Sequence, residues 1–445
     1  MKNKIIFALN MSLALSLALP AFASSPELNG TLIDRTIVVT PKNLDKILFG
    51  NNIDITKAMA QVLRAKQSVN AARADLLPSL NLNFIQAISA TPTFLVNFAS
   101  CLVPFLFPSK WYALKQADKS YASDITGLEI TRLNTYAMAL NVLVHVKGDE
   151  QVMETVAQTV AGIDEYVKGL EVQSKIGLMP RADVLRGTIE HGRLAADYIK
   201  IGETLADEHA ALRKMLGFNI EQKFTIELGD EIPSIYEDML PTNPVLTKML
   251  MRAPERTQLD FLKEAAEAGV GNARWAFLGG CSGQAGTASS VAGGSAFTVT
   301  ASATLSLGFG YFPTIALAKR NVKDVEIRQQ ELGLELGRVL ESALADIAGE
   351  KTRITNAETS VQASEALLAE QNYLLDLGKV TVRERLDAIT NLARAKTEVL
   401  SARNTLSGHR ITLKRLALEG KFLKVLIQSN RDLELGTNGS PRRGD

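Results

Sequence analysis

Residues 297–309 read Phe-Thr-Val-Thr-Ala-Ser-Ala-Thr-Leu-Ser-Leu-Gly-Phe. In an extended chain Phe297, Val299, Ala301, Ala303, Leu305, Leu307 and Phe309 share one face. Thr298, Thr300, Ser302, Thr304, Ser306 and Gly308 share the other. An apolar face backed by hydroxyls fits a strand that crosses a membrane, which needs about 9–11 residues, whereas strands of soluble sheets are usually shorter.

Working outward, the stretch belongs to a hairpin from about Phe277 to Phe312, turned by a glycine- and serine-rich loop near Gly283 to Gly294. A second hairpin is expected at about 78–108. There Leu80, Leu82 and Phe84 alternate with Ser79, Asn81 and Asn83, and Leu95 to Phe107 is more continuously apolar. About four strands cannot close a barrel, and an open edge in hydrocarbon leaves backbone groups unsatisfied at several kcal/mol each. Strands of this kind in a membrane therefore require several copies of the chain. A dimer would just reach the about eight strands of the smallest common barrels, and a trimer would give about twelve, with room for a pore.

Helix dominates the rest. Leu332, Leu336, Leu340, Leu344 and Ile347 recur at three- and four-residue steps, and Leu386, Ile389, Leu392, Val399 and Leu406 continue a comparable stripe. Such stripes predict amphipathic helices packed as coiled coils. No proline interrupts Thr314 to Asp376, so helix can run on the order of 90 Å at 1.5 Å per residue. Trp111 to Lys175 is equally free of proline, although Gly127, Gly148, Gly162 and Gly169 weaken it. At Gly177 with Pro180, and again at Gly378, the pattern stops and restarts, as in a helical hairpin capped by glycine.

These two breaks lie 201 residues apart, and the same offset aligns Ala72-Arg73 with Ala273-Arg274, Leu77 with Leu278, Asp183 with Glu384, Leu185 with Leu386 and Leu212 with Leu413. The chain reads as a tandem duplication. Residues 24–217 form the first repeat and 242–420 the second, with a linker at 218–241 and a tail at 421–445. That linker and tail are expected to form a belt around the middle of the helices.

At the N-terminus Lys2 and Lys4 precede an apolar run from Ile5 to Leu19, followed by Pro20 and the small-x-small pattern Ala21-Phe22-Ala23. Residues 1–23 are read as a secretory signal peptide, the run being short of the ~20 residues of a spanning helix. The 445 residues carry 49 Lys plus Arg against 48 Asp plus Glu. A net charge of +1 leaves no field to draw in a polyanion, and nucleic-acid binding is not expected.

Chemistry-bearing motifs are sparse. His145, His191, His209 and His409 form no metal-ligand spacing, and two cysteines cannot build a four-ligand zinc cage. Cys101 and Cys281 fall in the two hairpins, where a disulfide and two free thiols are both open readings. No phosphate-binding glycine loop is followed by Lys-Ser or Lys-Thr. Neither an enzyme nor a bound cofactor or metal is expected, and energy for transport would have to come from a partner.

Three segments carry a family resemblance. Ala71 to Leu82 ends a helix in Leu-Leu-Pro-Ser-Leu before the first strand, Ser109-Lys110-Trp111 follows the second, and Asn372 to Leu406 surrounds the second break. In this order, and with the duplication, they resemble the TolC-like outer-membrane efflux proteins, the outer-membrane component of tripartite pumps and type I secretion systems. The resemblance implies a mainly α fold with a membrane β-barrel portion: a homotrimer with a twelve-stranded barrel in outer-membrane lipid and an α-helical coiled-coil tunnel in the periplasm. It implies as partners a periplasmic adaptor (membrane fusion) protein and an inner-membrane pump or ABC transporter. By position, Gly177, Leu178, Gly378 and Lys379 match the tips that dock the adaptor. Glu384 and Asp387 match acidic residues that ring the tunnel entrance.

Three-residue spacing puts those two carboxylates on one helical face, and threefold symmetry would gather three copies of each about the axis. The competing reading makes them ordinary exposed charges paired with Arg383 and Arg385. The sequence departs from the family pattern at Gly310-Tyr311-Phe312-Pro313, where a glycine-rich turn is usual, and at Gly279-Gly280, where leucine-proline is expected. The rival functional reading is a periplasmic adaptor or another coiled-coil scaffold, which would carry one hairpin between compact β domains and no duplication.

Overall fold

The computed structural model describes residues 36–77, 107–229, 233–278, 281–289, 295–303, 310–377 and 379–427. The expected signal peptide, the hairpin expected at 78–108 apart from its last two residues, Cys101 and the end of the tail lie outside the described residues.

Helices carry the architecture. In chain order the elements are β1 (Ile37–Val39), α1 (Leu44–Asn51), α2 (Ile53–Ala74), α3 (Pro108–Lys175), α4 (Arg181–Leu216), β2 (Phe224–Ile226), α5 (Pro244–Met251), α6 (Pro254–Trp275), β3 (Cys281–Ser289), β4 (Ser295–Ala303), α7 (Tyr311–Asp376) and α8 (Val382–Leu416). The 68-residue α3 and 66-residue α7 each extend on the order of 100 Å. Proline starts α3, α5 and α6 at the first turn, where its missing N–H is no loss.

Both bounds of α2 recur 201 residues later in α6, and the starts of α4 and α8 differ by the same number. Within each repeat the short helix lies along the long one, α2 on α3 and α6 on α7. The two repeats meet through α3, which packs against both α6 and α8.

Two of the α3 glycines, Gly127 and Gly148, have a packing reason, whereas a Cβ on Gly162 or Gly169 would meet nothing within 4 Å. A Cβ on Gly148 would stand 1.5 Å from Asn404 Nδ2 of α8, and one on Gly127 would stand 2.9 Å from Gln258 Nε2 of α6. Lost helix propensity, about 1 kcal/mol per glycine, is exchanged there for close approach of a second helix.

A hydrophobic cluster surrounds the midpoint of α3. Leu133, Tyr136, Leu143 and Val146 pack against Val39, Leu44 and Leu48 from the N-terminal segment, Leu212 and Leu216 of α4, Ile226, Phe422 and Val425. The Asn52 side chain caps α2, accepting from Asp54 N–H at 2.9 Å and Ile55 N–H at 3.1 Å, and donates through Nδ2 to Met215 O at 2.7 Å, so it ties α2 to the end of α4.

The structure differs from the sequence reading in two places. Gly283 to Ser289 are strand rather than loop, because β3 pairs antiparallel with β4 from Cys281↔Ala303 to Ser289↔Ser295. Pairing with a strongly β-prone partner overrides the weak propensity of Gly and Ser, which is set by context. β4 begins at Ser295, two residues before the alternation, and residues 304–309 lie outside the described residues. At the start of the tail, residues 421–427 are helical, and Phe422 and Val425 are buried in the central cluster.

One pairing was not anticipated at all. β1 lies parallel to β2, with Ile37 opposite Phe224, Val38 opposite Thr225 and Val39 opposite Ile226. It joins the first described residues to the linker.

Candidate functional site

The candidate site is the end of the molecule where both long helices turn back. α3 stops at Lys175 and Gly177 takes φ +78°. Leu178 N–H donates to Gln173 O at 2.9 Å and Gly177 N–H to Ser174 O at 3.1 Å, the paired bonds of a Schellman closure whose left-handed residue is usually glycine. The second tip repeats the closing bond 201 residues on, Lys379 N–H donating to Leu374 O at 2.9 Å. Gly378 itself lies outside the described residues.

Beyond the turns the two hairpins are anchored together. Ile163, Val167 and Leu170 of α3, Leu194 of α4, and Val382 and Leu386 at the start of α8 form one buried cluster. Leu178 and Ile176 at the first tip, and Tyr373 and Leu377 at the second, remain exposed.

Glu384 and Asp387 are both exposed, on the side of α8 away from buried Val382 and Leu386. Glu384 has a local task as well. Its Oε2 accepts from Thr381 N–H at 2.8 Å and from Thr381 Oγ1 at 2.9 Å, while Glu384 N–H donates to Thr381 Oγ1 at 3.3 Å. This is a capping box that opens α8. The backbone N–H of Thr381 first, and its hydroxyl second, hold the Glu384 carboxyl below its ordinary value, so it is ionised at neutral pH. The Thr381-x-x-Glu384 spacing is the sequence signature of this cap.

Asp387 stands 3.8 Å from Arg383 Nε with both side chains largely exposed, an arrangement that contributes little. Arg385 does not pair with either carboxylate: its guanidinium lies 4.1 Å from the centre of the Tyr166 ring of α3. The stack adds a polar tie between α8 and α3 and leaves Glu384 and Asp387 facing solvent. In the first repeat the counterpart of Glu384, Asp183, accepts from Arg186 Nη1 at 3.0 Å within α4.

Among the described residues no three His, Cys, Asp or Glu side chains are grouped to hold a metal ion. No described helix is long and apolar enough to cross a membrane.

No protein-family profile and no curated protein matches the sequence. Solved structures do match the fold. A membrane protein from Pseudomonas aeruginosa superposes with a TM-score of 0.69 at 16% identity, over 85% of this chain and 90% of that one. The CmeC outer membrane channel of Campylobacter jejuni gives 0.69 at 14% identity over 89% and 90%. The outer membrane protein VceC of Vibrio cholerae gives 0.64 at 16% identity over 85% and 96%. Paired long-helix hairpins related by a 201-residue repeat, closed by matching tips and continued by a strand hairpin, thus place this chain in the fold of the TolC-like outer-membrane channels.

Proposed function

We propose that the protein is one subunit of a trimeric outer-membrane channel-tunnel for efflux or type I secretion, a passive conduit opened when a periplasmic adaptor and an inner-membrane pump engage the tips. The observation that carries this reading is the pair of contacts that each chain leaves unmade. α3 packs against α6 and α8 of the second repeat. The equivalent contacts of α7, with α2 and α4 of a first repeat, have no comparable counterpart among the described residues.

Side-chain exposure agrees. Leu386 and Thr390 of α8 are 4% and 6% exposed, whereas their repeat mates on α4, Leu185 and Ile189, are 53% and 71% exposed. A neighbouring copy offering α7 to α4 and α2 would complete both contacts, and head-to-tail interfaces of this kind close into rings. Three copies would also supply the about twelve strands a pore needs. The outer-membrane location, with the helices in the periplasm, follows from the same reading.

In this proposal Gly177, Leu178, Gly378 and Lys379 form the adaptor-docking tips, and Glu384 with Asp387 lines the entrance. The first test is the detergent-corrected mass of the mature protein extracted from outer membranes, by light scattering on a size-exclusion column. A trimer released only by detergent is expected; a water-soluble monomer would favour the adaptor or scaffold reading.

The entrance is tested by the double variant Glu384→Gln, Asp387→Asn in planar-bilayer recordings. Glutamine is accepted in a capping box, so the charge is removed while the start of α8 is retained. Rings of carboxylates favour cations, and the variant is expected to lose cation selectivity and sensitivity to polyvalent cations. Unchanged selectivity would remove these residues from the entrance.

A further inference from the structure

The opposite end of the helices carries a surface that the conduit reading leaves unexplained. Four helix ends lie there, the ends of α2 and α6 and the starts of α3 and α7, and β3 and β4 fall between α6 and α7 in the chain. Each presents a large apolar side chain to the exterior, Leu77 just after α2, Trp111 in α3, Trp275 in α6 and Phe312 in α7. Trp111 and Trp275 are both of the chain's tryptophans. The aromatic surface is organised: Trp275 stacks on Phe277 at 6.1 Å, Phe277 meets Tyr311 edge-on at 5.8 Å, and Tyr311 meets Phe312 at 5.4 Å. The Tyr311 hydroxyl donates to Arg274 O at 2.8 Å and fixes the cluster across α6 and α7.

Directly beside it, Arg274 and Lys319 line an open groove of about 340 Å³ between α6 and α7, with Glu267, Val270 and Val322. Both cations are exposed, and neither has a carboxylate partner within 4 Å among the described residues. Lys110, Lys119 and Lys323 of the same region do, with Asp75, Glu264 and Glu326.

We infer that this groove and its aromatic collar bind the anionic headgroup of a phospholipid in the periplasmic leaflet, with Arg274 and Lys319 on the phosphate and Trp275 and Phe312 at the level of the ester groups. The inference rests on the outer-membrane reading proposed above. Aromatic side chains with an apolar body and a polar edge settle at the boundary between hydrocarbon and water, and girdles of them flank membrane barrels. Basic side chains just outside that boundary attract anionic headgroups. Glu267, about two turns before Arg274 on the same helix, opposes a second anion, so the groove suits one headgroup.

The test uses the mature protein with Trp111→Phe, which leaves Trp275 as the reporter. It is reconstituted in phosphatidylcholine vesicles containing a minority of brominated phosphatidylglycerol, and in the mirror mixture where phosphatidylcholine at the same mole fraction carries the bromine. Trp275 is expected to be quenched more strongly by the brominated anionic lipid, reflecting local enrichment of about five-fold per cation. Arg274→Gln with Lys319→Gln should return the two mixtures to equality without changing total quenching.

Flotation of the vesicles after an alkaline wash reports insertion separately. Protein that does not float would overturn the membrane reading and this inference together. Protein that floats but whose Trp275 is quenched by neither lipid would place the collar under protein and overturn this inference alone. Equal quenching by both lipids in the parent would overturn the headgroup preference.

Discussion

If the chain assembles as the trimer proposed above, replacing Leu185 and Ile189 of α4 together with aspartate is expected to reduce it to monomer while leaving each chain helical. Both side chains are exposed in the single chain, so neither change opens a cavity in the protomer. If α7 of a neighbouring copy covers them, the partly exposed Leu185 and Ile189 together gain about 2–4 kcal/mol of apolar transfer energy at each interface. Aspartate forfeits that contribution and adds a carboxylate that must lose its water on assembly. In the proposed trimer three such interfaces would close one ring, so the loss would be felt three times. Light scattering in detergent reads the outcome, and far-UV circular dichroism confirms that helix content is retained. A trimeric mass for the double variant would rule out this face of α4 as the contact between copies.

The repeat that frames this argument was legible in the sequence for a physical reason. Long helices announce themselves through sustained three- and four-residue spacing, and α3 and α7 begin and end within a few residues of the proline-free stretches that predicted them. The tips were legible because a glycine C-cap is a local device. The parallel β1–β2 pair was not, because three residues per strand give no periodicity and the partners are Ile37 and Phe224, far apart along the chain. Burial of Phe422 and Val425 was hidden for the same reason: their partners, such as Leu133 and Leu143, belong to the middle of another helix. At the candidate site, spacing alone put Glu384 and Asp387 on one helical face, and their exposure is read from the structure. The turn of Arg385 toward Tyr166 depends on how α8 crosses α3, which a single sequence does not record.

Removing the Glu237 carboxylate is expected to be the most damaging single change to the middle of the molecule. Glu237 lies in the linker between the repeats, and its side chain is only 6% exposed. It accepts from Arg410 of α8 at both oxygens, at 2.8 Å from Nε and 3.1 Å from Nη2. Lys351 of α7 approaches to 2.9 Å, and the Ser234 N–H donates at 3.2 Å. One carboxylate therefore fastens the linker to both long helices of the second repeat. Burial alone would raise the acid's pKa, but the hydrogen bonds from Arg410 and then Lys351 outweigh it and hold the group below its ordinary value. The folded chain thus releases this proton more readily than the unfolded one, so the contribution is complete above the ordinary carboxyl range and is lost as pH falls through the folded value. Glu237→Ala removes that carboxylate from the largely buried Arg410, whereas Lys351 is more exposed and keeps Asp238 at 2.7 Å; breaking a buried pair such as Arg410–Glu237 costs about 3–5 kcal/mol. At about 2–4 °C per kcal/mol for chains of a few hundred residues, thermal unfolding followed by circular dichroism should shift down clearly at neutral pH. The difference between variant and parent should narrow as the pH is lowered below the carboxyl range, because the parent then carries a protonated Glu237 as well. A difference of constant size across that range would mean that the ion pairs are not what the linker contributes.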